Sequence, residues 1–250
     1  MSRYDFNAPR LFVDAPLMTG VSVPLDRDQS NYVLNVLRLA DGDVVLAFNG
    51  RDGEWRTRVA AKSRKAAALE ATELARPQES GPDLHYLFAP LKHARLDYMV
   101  QKAAEMGVSR LSPVFTRRTQ AARVNTGRMR ANAIEAAEQC GILTIPDVDE
   151  PLRLEQTLAN WADDRMLIFC DEDAPVADPV AALGLASKSG LSKFALLIGP
   201  EGGFDEAERR MIGAMNSAVA ISLGPRILRA DTAAVAALAL VQATLGDWRA

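Results

Sequence analysis

The spacing of hydrophobic positions predicts short strands and one short helix in the first part of the chain. EWRTRVAAKS alternates apolar and polar residues, and it follows the apolar run DVVLAFNG and the turn residues RDG, so the two runs predict a β-hairpin. Before them, Val33, Val36 and Leu37 recur at helical spacing and stop at an Asp-Gly pair, which predicts a helix. A small β-barrel with one or two short helices is the simplest architecture for residues 1–75.

The pattern changes after residues 75–83, where Pro, Gly and Ser predict a linker. The strand-length runs LHYLFAPL, RLSPVFT, RMLIFCDED, KFALLIGPEGG and AVAISLGPRILRA alternate with the helical patterns RLDYMVQKAAEMGV, RMRANAIEAAEQCG, DEAERRMIGAMN and TAAVAALALVQATLG. Asp205 and Glu208 predict a capping box, Asp231 a helix cap, and Gly107 a helix end. This alternation predicts an α/β domain over residues 76–250, with a parallel sheet covered on both faces.

Composition narrows the class of protein. The 250 residues are 48% hydrophobic and 24% charged, which is typical of a soluble globular protein. The start of the chain has no apolar leader, and the longest apolar stretch, 230–245, is interrupted by polar residues, so we expect no membrane span. Cys140 and Cys170 lack metal-like spacing and predict buried thiols in a reducing cytoplasm. His85 and His93 are the only histidines, so we expect no metal site.

Charge is unevenly distributed along the sequence. Residues 92–130 contain nine Lys and Arg against two acids, whereas residues 135–178 contain twelve acids against two arginines. A basic stretch of this density favours an anionic partner, with RNA first among the candidates. The alternative is a solvated helix face whose charges balance in three dimensions. The sequence leaves both interpretations open.

Two strand ends resemble each other, LLIGPEGG and ISLGPRILRAD. Each continues from Gly-Pro through a loop into a helix, and ligands of open parallel sheets bind beyond such strand ends, so two neighbouring loops would form one crevice. Neither loop matches a dinucleotide or nucleoside-triphosphate fingerprint. We therefore expect a ligand held by backbone groups, with Ile198, Leu223, Ile227 and Leu228 around a flat ring. The alternative is a tight connection that needs Gly and Pro for its own backbone.

QKAAEMGV, EAAEQCG, LIGPEGGF and LGPRILRADTA, in this order, resemble the ribosomal RNA methyltransferases of the SPOUT superfamily that modify uridine N3 in the small subunit. YVLNVLRLADGD extends the resemblance into the amino-terminal part. The resemblance implies a PUA-like RNA-binding β-barrel over 1–75, and a SPOUT domain with a deep trefoil knot over 76–250. It also implies a homodimer, S-adenosyl-L-methionine as cofactor, and 16S rRNA or the 30S subunit as partner. Topology rules alone would argue against a knot.

The sequence departs from this family at two positions. Asp231 stands where Glu is commoner and keeps a carboxylate, so we expect little effect. Ile142 stands where the family more often has arginine, which removes a basic group and puts an RNA role of that loop in doubt.

Uracil N3 becomes nucleophilic only after losing its proton, so a fixed cation near the developing oxyanion would help. We assign this role to Arg229, with an ion pair to Asp231 or to another acidic neighbour as the alternative. Glu201 is the second catalytic candidate; it contacts the donor, contacts the base, or stabilises its own loop. By resemblance, donor binding falls to Phe169, Ile198, Gly199, Pro200, Glu201, Gly202, Gly203, Leu223, Gly224, Ile227, Leu228 and Ala230, and RNA binding to Arg10, Arg38, Lys92, Lys102, Arg117, Arg118 and Arg229.

Two other functions remain open on the sequence. One is an RNA-binding or ribosome-assembly module that keeps the fold without turnover. The other is a knotted methyltransferase acting on transfer RNA or on a ribose hydroxyl. The intact glycines of both loops and Arg229 favour an enzyme, because a pure binding module does not need a donor crevice.

Overall fold

The computed structural model describes residues 8–92, 94–174 and 178–249. The chain divides into two compact units. The first comprises Met1–Ser80 and Ala137–Ile145, and the second comprises Gly81–Ala136 and Pro146–Ala250. The sequence pattern gave no sign that a segment from the middle of the chain joins the first unit. The division at residues 75 and 76 stays a prediction about domains.

The first unit is built on a mixed five-stranded sheet. Its strands run in the order β1-β3-β4-β5-β2, with β1 parallel to β3 and the remaining neighbours antiparallel. The predicted hairpin is confirmed as β3 and β4, and no pairing between the two end strands is described. The strands are β1 (Arg10–Phe12), β2 (Ser22–Pro24), β3 (Val44–Phe48), β4 (Glu54–Ser63) and β5 (Ala66–Arg76).

The predicted helix of this unit has two parts. Helix α1 (Arg27–Asn31) starts at a capping box formed by Asp26 and Gln29, and it widens into a π-helical turn (Tyr32–Val36). Arg38 follows with a φ of 56°, a left-handed conformation that costs a non-glycine residue energy.

A buried ion network joins the middle segment of the chain to this unit. The carboxylate of Glu54 lies 2.6 Å from Arg10 Nε and 2.7 Å from Arg76 Nε. Burial alone would raise the pKa of Glu54, but hydrogen bonds from Arg76 and Arg10 outweigh it, so the pKa lies below its ordinary value of 4.5. Arg10 also donates to the carbonyls of Ala137 and Ile142. Ile142 therefore contributes a backbone oxygen that any residue would supply.

The second unit contains a seven-stranded parallel sheet. Six strands run in the order β12-β10-β11-β6-β7-β8, and β9 also pairs with β7. The strands are β6 (Leu84–Phe88), β7 (Arg110–Phe115), β8 (Asp147–Val148), β9 (Leu152–Arg153), β10 (Arg165–Cys170), β11 (Lys193–Ile198) and β12 (Ala218–Ile221). The helices are α2 (Ala94–Glu105), α3 (Thr126–Cys140), α4 (Leu154–Ala159), α5 (Pro179–Ala186), α6 (Glu206–Gly213) and α7 (Ala230–Thr244), with 3-10 turns at Ser187–Ser189 and Asp247–Arg249. The last residues of α3, from Ala137 onward, belong to the first unit.

Alternate residues of the central strands pack into two separate apolar clusters. Met166 and Ile168 of β10 face a cluster that includes side chains of α2, α3, α5 and α7. Leu167 and Phe169 face the opposite cluster, which includes side chains of α4 and α6. The parallel sheet covered on both faces is therefore confirmed, whereas α4, α5 and the short strands β8 and β9 were not predicted.

Candidate active site

Three neighbouring strands end at one edge of the parallel sheet. β10 lies between β11 and β12, and the three strands end at Cys170, Ile198 and Ile221. β6 lies on the other side of β11 and ends at Phe88. Ligands of open parallel sheets bind at this edge. We had predicted that the two Gly-Pro loops are neighbours. They are not direct neighbours, because β10 separates the strands that carry them.

The loop after β11, residues 199–205, is closed by the predicted capping box. Asp205 Oδ1 accepts the N–H of Glu208 at 2.8 Å, and Glu208 Oε2 accepts the N–H of Asp205 at 2.9 Å. The N–H of Glu208 is the largest cause of a lowered pKa at Asp205. Glu208 is fully buried, and its Oε1 accepts the N–H of Arg117 at 2.8 Å. One carboxylate therefore joins the loop, α6 and the segment that follows β7.

Arginine side chains hold the same loop from its other side. Arg118 Nη1 donates to the carbonyl of Gly202 at 2.7 Å, and Arg95 forms an ion pair with Glu201. Arg117, besides its backbone contact, lies 3.0 Å from the Asp205 carboxylate. Arg117 and Arg118 were predicted to bind RNA; in this structure both contact the loop, and both remain exposed.

Different physical reasons account for the glycines of this loop. A Cβ on Gly199 would lie 2.9 Å from the ring of Phe204, and Gly203 has a φ of 67°. The fold itself therefore requires glycine at both positions. Gly202 is outside the left-handed region, and a Cβ there would meet Arg118 at an ordinary 3.5 Å. Internal packing therefore does not explain Gly202.

The loop after β12 exposes apolar surface. Leu223 and Leu228 are half-buried against the core, whereas Ile227 exposes 93% of its surface. Ile198 is buried at the end of β11. Gly224 has a φ of 95° with open space around it, so its backbone requires glycine. The four apolar residues expected around a flat ring thus differ widely in exposure.

Arg229 is the N-cap residue of α7. Its side chain is exposed, and it makes none of the hydrogen bonds or ion pairs found within the described residues. The alternative, an ion pair with Asp231, is therefore not observed. Asp231 was predicted to cap the helix, but it lies within the first turn and accepts the N–H of Thr232 at 3.0 Å. The helix begins two residues earlier than the prediction requires.

Backbone donors of both loops remain available. Within the described part of the chain, the N–H groups of Glu201, Gly202, Ile227 and Leu228 donate to no protein acceptor. Unpaired backbone N–H groups next to a crevice are suited to a ligand that carries hydrogen-bond acceptors.

A cleft of about 110 Å³ lies beside the first loop. The polar residues that line one side of this cleft were not predicted from the sequence, although several of them follow a central strand, where parallel sheets bind ligands. Arg209 of α6 forms ion pairs with Asp171, Glu172 and Asp173, which follow β10. The cleft is lined by Cys170, Asp171, Glu172, Ile198, Gly199, Pro200, Glu201, Gly203, Phe204, Arg209, Ala230 and Ala233.

Phe169 does not line this cleft. Its ring packs edge-on against Phe204, with centroids 6.4 Å apart and planes at 79°. The predicted donor contacts Ile198, Gly199, Pro200, Glu201, Gly203 and Ala230 do line the cleft, whereas Gly202 and the residues of the second loop do not.

A match to a protein-family model identifies the family of this chain. The RNA methyltransferase domain matches residues 78–242, about two thirds of the chain. The chain belongs to the RNA methyltransferase family. The PUA domain of RNA methyltransferases matches residues 25–71. The family indicated by the sequence motifs is confirmed, together with its amino-terminal PUA domain and carboxy-terminal α/β methyltransferase domain.

Similar methyltransferases match nearly the whole chain. Ribosomal RNA small subunit methyltransferase E of Rickettsia conorii is 28% identical over 234 residues, which is 93% of this chain and 94% of that protein. A methyltransferase of Legionella pneumophila, solved with bound SAM, has 29% identity and a TM-score of 0.81 over 96% of this chain and 99% of its own. The Neisseria gonorrhoeae small subunit methyltransferase E, bound to S-adenosyl methionine, has 26% identity and a TM-score of 0.86 over 97% and 100%.

Three residues of this methyltransferase that were predicted to bind RNA differ in burial and in their partners. Arg10 is buried, its side chain 2% exposed, and its guanidinium contacts Glu54 and lies over the Phe48 ring. From that position Arg10 cannot reach RNA, so we replace the RNA role with a structural one. Lys102 forms an ion pair with Glu105. Arg38 is exposed on the first unit.

Most of the predicted basic stretch is balanced by acids. At least five of its nine cations have an acidic partner among the described residues, and several of those acids are distant in sequence. The pairs are Arg95–Glu201, Lys102–Glu105, Arg110 with Asp147 and Asp149, Arg117 with Asp205 and Glu155, and Arg128–Asp97. The solvated, balanced interpretation therefore holds for part of the stretch.

The histidines and cysteines differ in their surroundings. Burial lowers the pKa of His85 to about 4, and burial raises the pKa of the Cys170 thiol well above its ordinary value. Cys140 is exposed, contrary to the prediction of a buried thiol, and His93 lies outside the described residues.

In the ranges that the structure describes, acidic, Cys and His side chains form no metal-holding group. No described helix combines the length and apolar character needed to cross a bilayer.

Proposed function

We propose that this chain transfers a methyl group from S-adenosyl-L-methionine to N3 of a uridine in 16S rRNA, on naked RNA or within the 30S subunit. The observation that carries the proposal is a methyltransferase domain whose two Gly-Pro loops present unpaired backbone N–H groups at the ligand-binding edge of a parallel sheet. The names of the relatives support the small-subunit target, and two of the similar solved structures hold the methyl donor.

The residues present fit such a donor. Gly202 has no packing reason of its own, and the N–H groups of Glu201, Gly202, Ile227 and Leu228 are available for acceptors. Carboxylates at the end of β10 suit a cationic ligand. Ala230 and the backbone of the two loops would hold the donor. The donor supplies an electrophilic methyl group on a sulfonium.

The chain itself would position the base and stabilise its anion. The N3–H bond breaks, its proton passes to an acceptor, the N3 electron pair forms the bond to the methyl carbon, and the carbon–sulfur bond breaks with its electrons on sulfur. Arg229 is the cation for the charge that develops on the uracil oxygens, since its side chain has no protein partner in the described residues. Holding both reactants in line supplies most of the acceleration.

Glu201 is the second catalytic candidate. Its ion pair with Arg95 fixes the carboxylate at the tip of the first loop, which suits a contact to donor or base and also suits loop stabilisation. Glu201→Gln separates these roles: loss of turnover with unchanged donor affinity supports contact with the base, and an unchanged rate excludes it.

A deep trefoil knot and a homodimer complete the proposal. A partner subunit would cover Ile227, which is 93% exposed in the single chain, and could place the substrate site between two chains. Sedimentation at equilibrium measures the dimer; a monomer at micromolar concentration would contradict it. The path of residues 222–244 in a crystal structure of the donor complex tests the knot; an unthreaded path would contradict it.

The deciding experiment is transfer of labelled methyl groups to 16S rRNA and to 30S particles from a strain that lacks this protein. We expect N3-methyluridine after nuclease digestion. Another methylated nucleoside would identify a different target. Donor binding without transfer to either substrate would contradict the proposed substrate, and absence of both would favour an assembly factor.

The role of Arg229 has a matched control in the same loop. Arg226 is also exposed and makes no described ion pair. We expect Arg229→Ala to lower kcat by about 100-fold or more with unchanged donor affinity, while Arg226→Ala stays near wild type. Equal rates for the two variants would remove Arg229 from the mechanism.

A further inference from the structure

Two adjoining cavities of the second unit form one trench beside the first Gly-Pro loop. The smaller, about 310 Å³, reaches Pro200 and Glu201 of that loop. The larger, about 780 Å³, extends to the start of α3. Both are lined by Leu91, Lys92, Gln120 and Ala121, so these four residues form the junction of the trench.

The trench also contains two cations of the basic stretch that have no acidic partner. Lys92 and Arg123 are exposed, and neither makes an ion pair or side-chain hydrogen bond in the part of the chain that the structure describes. Both line the trench. Arg128 also lines it, but its guanidinium is bonded to Asp97. The trench therefore carries positive charge that no acid of the described residues offsets.

We propose that the trench receives a single-stranded segment of the RNA substrate, with Lys92 and Arg123 on its phosphates and Gln120 at the target base. This inference rests on the proposed function. A uridine within a duplex has its N3 occupied by base pairing, so the target must be single-stranded or extruded. At the junction, the Gln120 amide has no partner in the described residues and can donate to a uracil oxygen beside N3.

The chemistry of the trench favours nucleic acid over a peptide. Its unbalanced cations are donors without acceptor capacity, which match phosphate oxygens. Asn125 and Thr126 add polar groups to its wall, and its size lies in the range of about 300–1,000 Å³ that holds small ligands such as one nucleotide. The end nearest Glu201 adjoins the loop assigned to the methyl donor.

The first test measures binding of a fluorescent single-stranded oligouridylate at several salt concentrations. We expect Lys92→Ala and Arg123→Ala each to weaken binding about fivefold at about 0.1 M salt, because each lost phosphate contact reduces the slope of log affinity against log salt by about 0.7. Matched controls are Lys188→Ala and Arg210→Ala, which remove exposed cations outside the trench and should bind like wild type.

The second test measures methyl transfer to 30S particles. We expect Gln120→Ala to lower kcat/KM about tenfold while leaving donor affinity and the salt slope unchanged, which a merely structural role would not do. Equal RNA binding by trench variants and controls would overturn the inference, as would an affinity loss without a change in slope, or a wild type that does not bind the oligonucleotide. Weakened RNA binding by the trench variants without any methyl transfer by wild type would support the trench and contradict the proposed function.

Discussion

Replacement of Glu208 by glutamine tests how the first Gly-Pro loop is held. The two carboxylate oxygens of this fully buried residue accept the N–H groups of Arg117 and Asp205, at 2.8 and 2.9 Å. Glutamine keeps one acceptor oxygen and turns an amide NH₂ toward the other N–H group. One buried donor then loses its acceptor and faces another donor.

The size of the effect follows from these two bonds. A hydrogen bond to a charged acceptor contributes about 1.5–3 kcal/mol, and a buried donor without an acceptor costs about 1–3 kcal/mol. Burial of a charge is relieved at the same time, which offsets part of the loss. We expect Glu208→Gln to lower the free energy of unfolding by about 2–4 kcal/mol, or roughly 4–16 °C in Tm for a chain of this length.

The assay compares thermal melting of Glu208→Gln with that of Glu206→Gln. Glu206 lies in the first turn of the same helix but is exposed, so its loss should cost only about 0.3–1 kcal/mol of interaction with the helix dipole. Calorimetric titration with S-adenosylmethionine should also show weaker binding to Glu208→Gln, because the donor loop loses its anchor. Equal melting of the two variants would refute the argument.

The remaining predictions concern other buried contacts. Because the folded pKa of Glu54 is lowered, its ion pairs stabilise the fold above about pH 4.5 and are lost as pH falls through the folded value; urea titrations should show the difference between wild type and Glu54→Gln shrinking on acidification, and a constant difference would contradict this cause. Gly199→Ala should destabilise by about 1–3 kcal/mol because its Cβ meets the Phe204 ring at 2.9 Å, whereas Gly213→Ala, with open space in α6, should stabilise by up to about 1 kcal/mol; the same sign for both in thermal melts would be inconsistent with the packing argument. The Cys170 thiol should resist alkylation at pH 8, since burial raises its pKa; rapid labelling seen by mass spectrometry would show otherwise.

Elements with a local pattern could be predicted from the sequence. The β3–β4 hairpin carries turn residues between two strand patterns, and the Asp205–Glu208 capping box needs only residues three apart. Helix α5 was missed because PVAALGLA is apolar on nearly every side and offers no amphipathic period. The N-cap of α7 was assigned to Asp231 on side-chain preference, but the backbone places Arg229 there.

The sequence did not show which distant residues contact each other in the folded chain. Arg10 appeared as an available cation, although Glu54, 44 residues away, neutralises it in the interior. The polar wall formed by Asp171, Glu172 and Arg209 depends on β10 lying between β11 and β12, an order that no local pattern encodes. The two Gly-Pro motifs could be found because their chemistry is written in adjacent residues.

The balanced cations have a consequence for how this protein meets RNA. Every phosphate that approaches Arg110 must displace Asp147 and Asp149, which are already in place. Nucleic acid of arbitrary sequence therefore competes with built-in carboxylates over most of the basic stretch, and gains little by binding there. Loss of these acids, as in Asp149→Asn, would increase indiscriminate adhesion to RNA. We therefore expect these carboxylates to weaken non-specific RNA binding, which leaves RNA contacts to cations without an acidic partner in the described residues, such as Lys92 and Arg123.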